Sequence, residues 1–225
     1  RAAASGGGFH PLAYATTEPL RIFREVQESL RPLPITSRSA WNRRETPRFR
    51  RMTPVRLTVH HTDTDTPVGR NQSFATMRQI QSGHIGRGFD DVGYNYIIDG
   101  AGRVIEGRGG AVVGSHVEDA NTGNVGISLM GNFMTRTPAA AQQLSLVRLA
   151  GYMAYTYRVD EDDDGFLLGH QQNPGASTDC PGRRVMDMLP ALRERVRAQT
   201  ALLAAQAADA RRERRRWTPV LAVAQ

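Results

Sequence analysis

Six histidines and one cysteine are the metal-seeking side chains of this 225-residue chain. Three of them, His60, His170 and Cys180, are the candidate ligand set, with no fourth partner in reach of their motifs. Two imidazoles and a thiolate suit a zinc ion with one open coordination position, whereas structural zinc sites are usually closed by four protein ligands. Zinc with an open position acidifies a bound water toward a nucleophile near neutral pH. The expected chemistry is therefore hydrolytic, with Zn2+ as cofactor.

Elements must carry those ligands to one place. Residues 55–60 (VRLTVH) alternate apolar and polar, which predicts a strand ending at His60 and His61. Neighbours on a strand point to opposite faces, so only one of the pair should reach a metal. Residues 166–169 lead into His170. Between them, Ser73 is expected to cap a helix bearing Phe74, Met77 and Ile80 on one side. Residues 94–98 read as a strand, 99–102 (DGAG) as a hairpin turn, 103–106 as its return and 124–130 as another strand. Thr137-Pro138 is expected to open a long helix with Leu144, Val147, Gly151 and Ala154 on its inner stripe. A last helix starts at Arg183 and is expected to break at Pro190. Alternating strands and helices argue for an α/β domain on one sheet.

Composition narrows the classes. The net charge is +7 and every one of the 29 basic residues is arginine, which favours anionic partners. No stacking aromatics or reading helix accompany that charge, so nucleic acid is not an expected partner. One cysteine excludes an internal disulfide framework. No apolar run approaches the ~18 residues of a membrane span. No signal peptide is visible, and the missing initiator Met fits a leader removed before Arg1. Residues 1–17 read as a Gly- and Ala-rich arm and 18–30 as a short helix. Residues 160–165 (DEDDDG) begin like a calcium loop, but Gln171 stands at the twelfth position where a bidentate acid is needed, so a solvated turn is expected.

Seven motifs stand in a fixed order: Ile35, Arg38 and Trp41; LTVHHT at 57–62; GFDDVGYNY at 88–96; IEGRG at 105–109; GSH at 114–116; VGISLMGN at 125–132; and Gly169-His170 followed by TDCPG at 178–182. In that order they resemble the peptidoglycan recognition protein family, the type-2 N-acetylmuramoyl-L-alanine amidases, over about residues 35–192. Gly110 departs from the pattern, since many members carry an aromatic there.

The resemblance implies a single mixed β-sheet flanked by about three main helices. It also implies zinc amidase activity on the bond between N-acetylmuramic acid and L-alanine of peptidoglycan. The alternative is a muropeptide recognition module without catalysis. Carried over by position, His60, His170 and Cys180 are the metal ligands. Tyr94 and Thr178 are the catalytic groups that orient water or stabilise the oxyanion, and His116 and His84 are substrate contacts. Glu106 is a remote candidate for the proton shuttle, and Arg108 reads as a structural buried arginine. The expected division is an arm and short helix at 1–34, an amidase domain at 35–200 and a basic extension at 201–225. The arginines at 211–216 are a candidate contact for anionic wall polymer or lipopolysaccharide. The expected location is secreted or periplasmic.

Overall fold

The computed structural model describes residues 33–42, 44 and 47–222, with side chains of the last helix described to residue 212. The expected arm, the expected helix at 18–30 and most of the arginine run at 211–216 lie outside the described side chains. Six strands form one mixed sheet: β1 (Ile35–Thr36), β2 (Arg56–His61), β3 (Tyr96–Ile98), β4 (Val104–Glu106), β5 (Asn124–Leu129) and β6 (Leu167–Gly169), in the order β1-β4-β3-β5-β2-β6. Of these strand pairs only β3 and β4 are antiparallel, joined by the 99–102 turn; every other pairing is parallel. Three α-helices are present among the described residues: α1 (Arg70–Gly86), α2 (Ala140–Tyr157) and α3 (Arg183–Ala222).

Alternation along β2 and β5 divides the sheet into two faces. Leu57, Val59, Val125, Ile127 and Leu129 point into the larger core, where Leu146, Leu149, Ala150 and Met153 of α2 and Val185, Leu189, Leu192 and Val196 of α3 cover them. The opposite face has a smaller core around Phe74 and Met77 of α1, with Trp41, Val92, Ile97, Ile105 and Met130. Thr58, His60 and Ser128 also belong to that second face by alternation, and all three are buried.

The early motif around Arg38 and Trp41 serves this second core. Trp41 is buried and donates its indole N–H to the Glu106 carbonyl at 2.7 Å. Arg38 is ion-paired with Asp91 and donates to the Gly107 carbonyl at 2.8 Å.

Three local signals are overruled by distant partners. Helix α1 begins at Arg70 with Gly69 as its N-cap, so Ser73 lies inside it. The Ser73 hydroxyl stands 2.6 Å from Asp99 Oδ2, on the carboxylate that also accepts the Ala101 and Arg103 N–H groups of the hairpin turn. Helix α2 begins at Ala140 rather than at Thr137-Pro138. Its cap comes from buried Gln142, whose Oε1 accepts the Ala139 N–H at 3.1 Å while its amide donates to Met130 O at 3.0 Å. Helix α3 continues through Pro190 and past residue 200 without a break. Pro190 is exposed, where water can satisfy the carbonyl released by its missing N–H. The acidic turn is largely exposed, as expected, and its Asp164 pairs with Arg193 at 3.0 Å and Arg197 at 2.9 Å on α3.

Candidate metal centre

Parallel strands β2 and β6 are neighbours, with Val59 in register with Gly169. Their carboxyl ends therefore place His60 and His170 side by side, with ring centroids 4.5 Å apart. This is where ligands collect in open α/β sheets. Cys180 returns to the same spot because its carbonyl accepts the Gln171 N–H at 2.9 Å and its Sγ accepts the His61 N–H at 3.4 Å. Buried Asn173 stiffens the intervening loop by donating to the carbonyls of Gly169 (3.2 Å) and His170 (3.1 Å). The result is one ligand atom each from His60, His170 and Cys180, all within 4.8 Å of one another.

The donor set fits zinc. Two ligands of a tetrahedral N/S site stand roughly 3.5 Å apart, and Cys180 Sγ lies 3.6 Å from His60 Nδ1. Burial, reinforced by the charges of His116 and His170, holds the His60 imidazolium form off, and burial likewise lowers the His170 pKa. Neutral imidazole is the form that ligates. Burial pushes the Cys180 thiol up to about 12, against the pull of the His61 N–H. A buried thiol of that kind ionises only beside a cation, so metal uptake at this site would release a proton. His61 is the neighbour that points away: it packs on Phe133, with ring centroids 6.4 Å apart, and accepts the Phe133 N–H at 3.4 Å.

Two of the three ligands, His60 and His170, line a cavity of about 560 Å³. Tyr94, Thr178, His84 and His116 line it as well. The Tyr94 ring lies 5.2 Å from that of His60, and burial pushes its phenol up to about 12. Tyr94 therefore keeps its proton at neutral pH and is a donor. His84 Nδ1 accepts the Gly93 N–H at 2.8 Å and so holds the backbone immediately before Tyr94. Thr178 is exposed on the rim, and its Oγ1 accepts the Cys180 N–H at 3.1 Å, which leaves the hydroxyl proton for another acceptor. His116 is 8% exposed and engages His60 and the Asn124 carbonyl.

One sequence candidate lies elsewhere, and the arginine read as structural is so. Glu106 does not line the cavity; its carboxylate accepts the Arg38 N–H at 3.0 Å. Arg108 is buried, donates to Val92 O at 2.6 Å and lies over the Phe49 ring. Sequence reasoning missed Arg87 and Glu118, the two charged side chains of the cavity wall. Both are exposed polar residues in ordinary turns and carry no local signature.

The sequence pattern of the N-acetylmuramoyl-L-alanine amidase family matches residues 50–183. A peptidoglycan-recognition protein of Drosophila simulans is 38% identical over 141 residues, covering 62% of this chain and 75% of its own length. An N-acetylmuramoyl-L-alanine amidase of Sus scrofa is 34% identical over 131 residues, covering 56% of this chain but only 21% of its own length. Among solved structures, peptidoglycan recognition protein-LE in complex with tracheal cytotoxin, a monomeric diaminopimelic acid-type peptidoglycan, superposes with a TM-score of 0.63 at 29% identity. It covers 70% of this chain and 92% of its own. The family match spans more than half of the chain, and the mixed sheet with its three helices agrees with it. The protein therefore belongs to the type-2 N-acetylmuramoyl-L-alanine amidase family, the family of the peptidoglycan recognition proteins.

Proposed function

We propose that this protein is a zinc-dependent N-acetylmuramoyl-L-alanine amidase that cleaves the amide joining the glycan to the stem peptide of peptidoglycan. The observation that carries the reading is the convergence of His60, His170 and Cys180 beside an open cavity that both histidines line, with a protonated tyrosine next to them. Zinc bound there would supply Lewis acidity and an acidified water at neutral pH.

The chain's own groups do the rest. Tyr94 holds its phenolic proton and donates it as a hydrogen bond to the amide carbonyl oxygen as that oxygen gains charge. Donors aimed at developing charge in a partly dry site are typically the largest catalytic contribution. The free Thr178 hydroxyl proton offers a second, neutral donor on the same rim. His84 keeps Tyr94 in place through the Gly93 N–H. The related recognition protein-LE forms a complex with tracheal cytotoxin, a monomeric peptidoglycan, which supports a peptidoglycan fragment as the occupant of this cavity.

The catalytic unit in this reading is the domain at 35–200. No helix among the described residues is long and apolar enough to cross a membrane. The proposed place of action is the cell envelope or the secreted space, where the wall is found. The basic end of α3 is the proposed contact with anionic wall polymer or lipopolysaccharide.

Incubation with purified peptidoglycan, with and without a chelator, tests the reading. Chelator-sensitive release of free stem peptides is the expected result. Tight retention on the wall with no release at any zinc concentration would replace the amidase by a recognition module.

A further inference from the structure

His116 looks from its sequence position like a substrate contact, yet both of its ring nitrogens are engaged inside the protein. Nε2 lies 3.1 Å from the Asn124 carbonyl oxygen, and Nδ1 lies 3.0 Å from His60 Nε2. Nothing polar on the ring is left for a ligand; only its carbon edge can face the cavity.

The hydrogens follow from donor and acceptor chemistry alone. A carbonyl oxygen can only accept, so His116 Nε2 must carry the ring's hydrogen. Neutral imidazole has one N–H, so His116 Nδ1 is a lone pair. A lone pair needs a donor, so His60 Nε2 carries the single hydrogen of its own ring. His60 Nδ1 is thereby left as a lone pair, on the side where Cys180 Sγ lies 3.6 Å away. A backbone carbonyl on β5 thus selects the metal-binding nitrogen of a residue on β2, through one intervening imidazole.

The surroundings are built for that ring. A methyl on Gly126 of β5 would come within 2.6 Å of His116 Cγ and Cδ2, and one on Gly114 would also collide with Cδ2. Two glycines therefore form the slot that the imidazole fills. The N–H groups of His116 and Val117 both donate to Asn121 Oδ1, at 2.7 and 3.0 Å. The Asn124 side chain in turn donates to the Ala120 carbonyl at 3.0 Å, which closes the loop onto the strand.

We propose that His116 is a positioning residue: with the Asn124 carbonyl it fixes His60 as the Nε2–H tautomer and so aims His60 Nδ1 at the metal. The proposal rests on the metal-centre reading above, but the tautomer itself does not require metal. Partners of this kind typically contribute about 10–100-fold to metal affinity.

Two measurements on the full chain test it. Long-range proton–nitrogen correlation on 15N-histidine protein, stripped of metal and held near pH 7.5, reads both tautomers directly. Nε2–H at His60 and at His116 is expected; Nδ1–H at either ring overturns the relay. Zinc affinity by competition with a chromophoric chelator is then compared for wild type, His116→Leu and His116→Asn, with far-ultraviolet circular dichroism as the folding control. The leucine variant should bind zinc about 10–100-fold more weakly. Asparagine keeps an acceptor for His60 Nε2–H and should recover part of the loss. Wild-type affinity in folded His116→Leu, or no recovery in folded His116→Asn, overturns the proposal. If the leucine variant does not fold, the tautomers and the asparagine variant decide. A protein with the expected tautomers and affinities that cleaves no peptidoglycan keeps the relay and loses the amidase. A cleaving protein with His60 as the Nδ1–H form does the reverse.

Discussion

The two faces of the sheet are made from the same strands and put to opposite uses. On one, Leu57 and Val59 of β2 and Val125, Ile127 and Leu129 of β5 disappear beneath α2 and α3. On the other, Thr58, His60, Asn124 and Ser128 of the same two strands are buried polar groups beside an open cavity, and α1 covers only the part around Ile97 and Ile105. The apolar face gains from non-directional burial, so its residues are interchangeable within limits of volume. The polar face has no such tolerance. Buried donors and acceptors need specific partners: the Thr58 hydroxyl stands between Asn124 and Asn173, and His60 meets His116. Stability and chemistry are thereby separated by the thickness of one strand.

That separation can be broken first at the ligands. Cys180→Ala or His60→Ala should abolish both stoichiometric zinc and cleavage while leaving the circular dichroism spectrum close to wild type. Elemental analysis and peptide release read this directly. Wild-type-like turnover in either variant would count decisively against the site.

Tyr94→Phe asks whether the polar face does more than hold metal. Loss of an oxyanion donor typically lowers kcat by about 10²–10³-fold. Zinc content and KM should change little, because the phenyl ring still fills the wall. An unchanged kcat would reassign Tyr94 to packing.

Leu149→Ala makes the matching cut on the apolar face. Leu149 is fully buried, and such truncations cost about 2–5 kcal/mol. Urea unfolding should show the loss, while zinc affinity of the folded protein stays at the wild-type value. A large change in zinc affinity would mean that the two faces are coupled.

The smallest and most graded effect is that of pH on metal-free protein. Burial holds His84 and His116 at about 4, against 6.5 for free histidine. The unfolded chain therefore takes up protons first as pH falls. Both groups contribute full stability above about pH 6.5, and the contribution drains away between there and about pH 4. The upper bound is about 3 kcal/mol for each. The urea midpoint should fall steadily from pH 7 to pH 4.5, and a flat profile would show that these rings are open to water.

Much of this architecture is legible in the sequence because it is locally encoded. The β2 alternation puts His60 and His61 on opposite faces, and the family resemblance names His60, His170 and Cys180 as the ligands. The features that local patterns misplace are decided by partners far along the chain. Ser73 has the type and setting of a helix cap, but Asp99, 26 residues away, takes its hydroxyl. Thr137-Pro138 looks like a helix start, but Gln142 reaches back to Ala139 and across to the end of β5. Pro190 reads as a break, and the packed helix runs straight through it. His116 carries the right motif for a groove residue, and nothing near it announces that both nitrogens are taken.

The sequence by itself determined which side chains could hold a cation and which strand edge would present them, because residue type and a period of two are local properties. Only the tertiary structure decided which nitrogen of His60 is free. That choice depends on the carbonyl of Asn124, remote in the chain and brought beside it by parallel strand pairing. A hydrogen atom's position on an imidazole is set by what lies across from it in space, and no run of neighbouring residues records that.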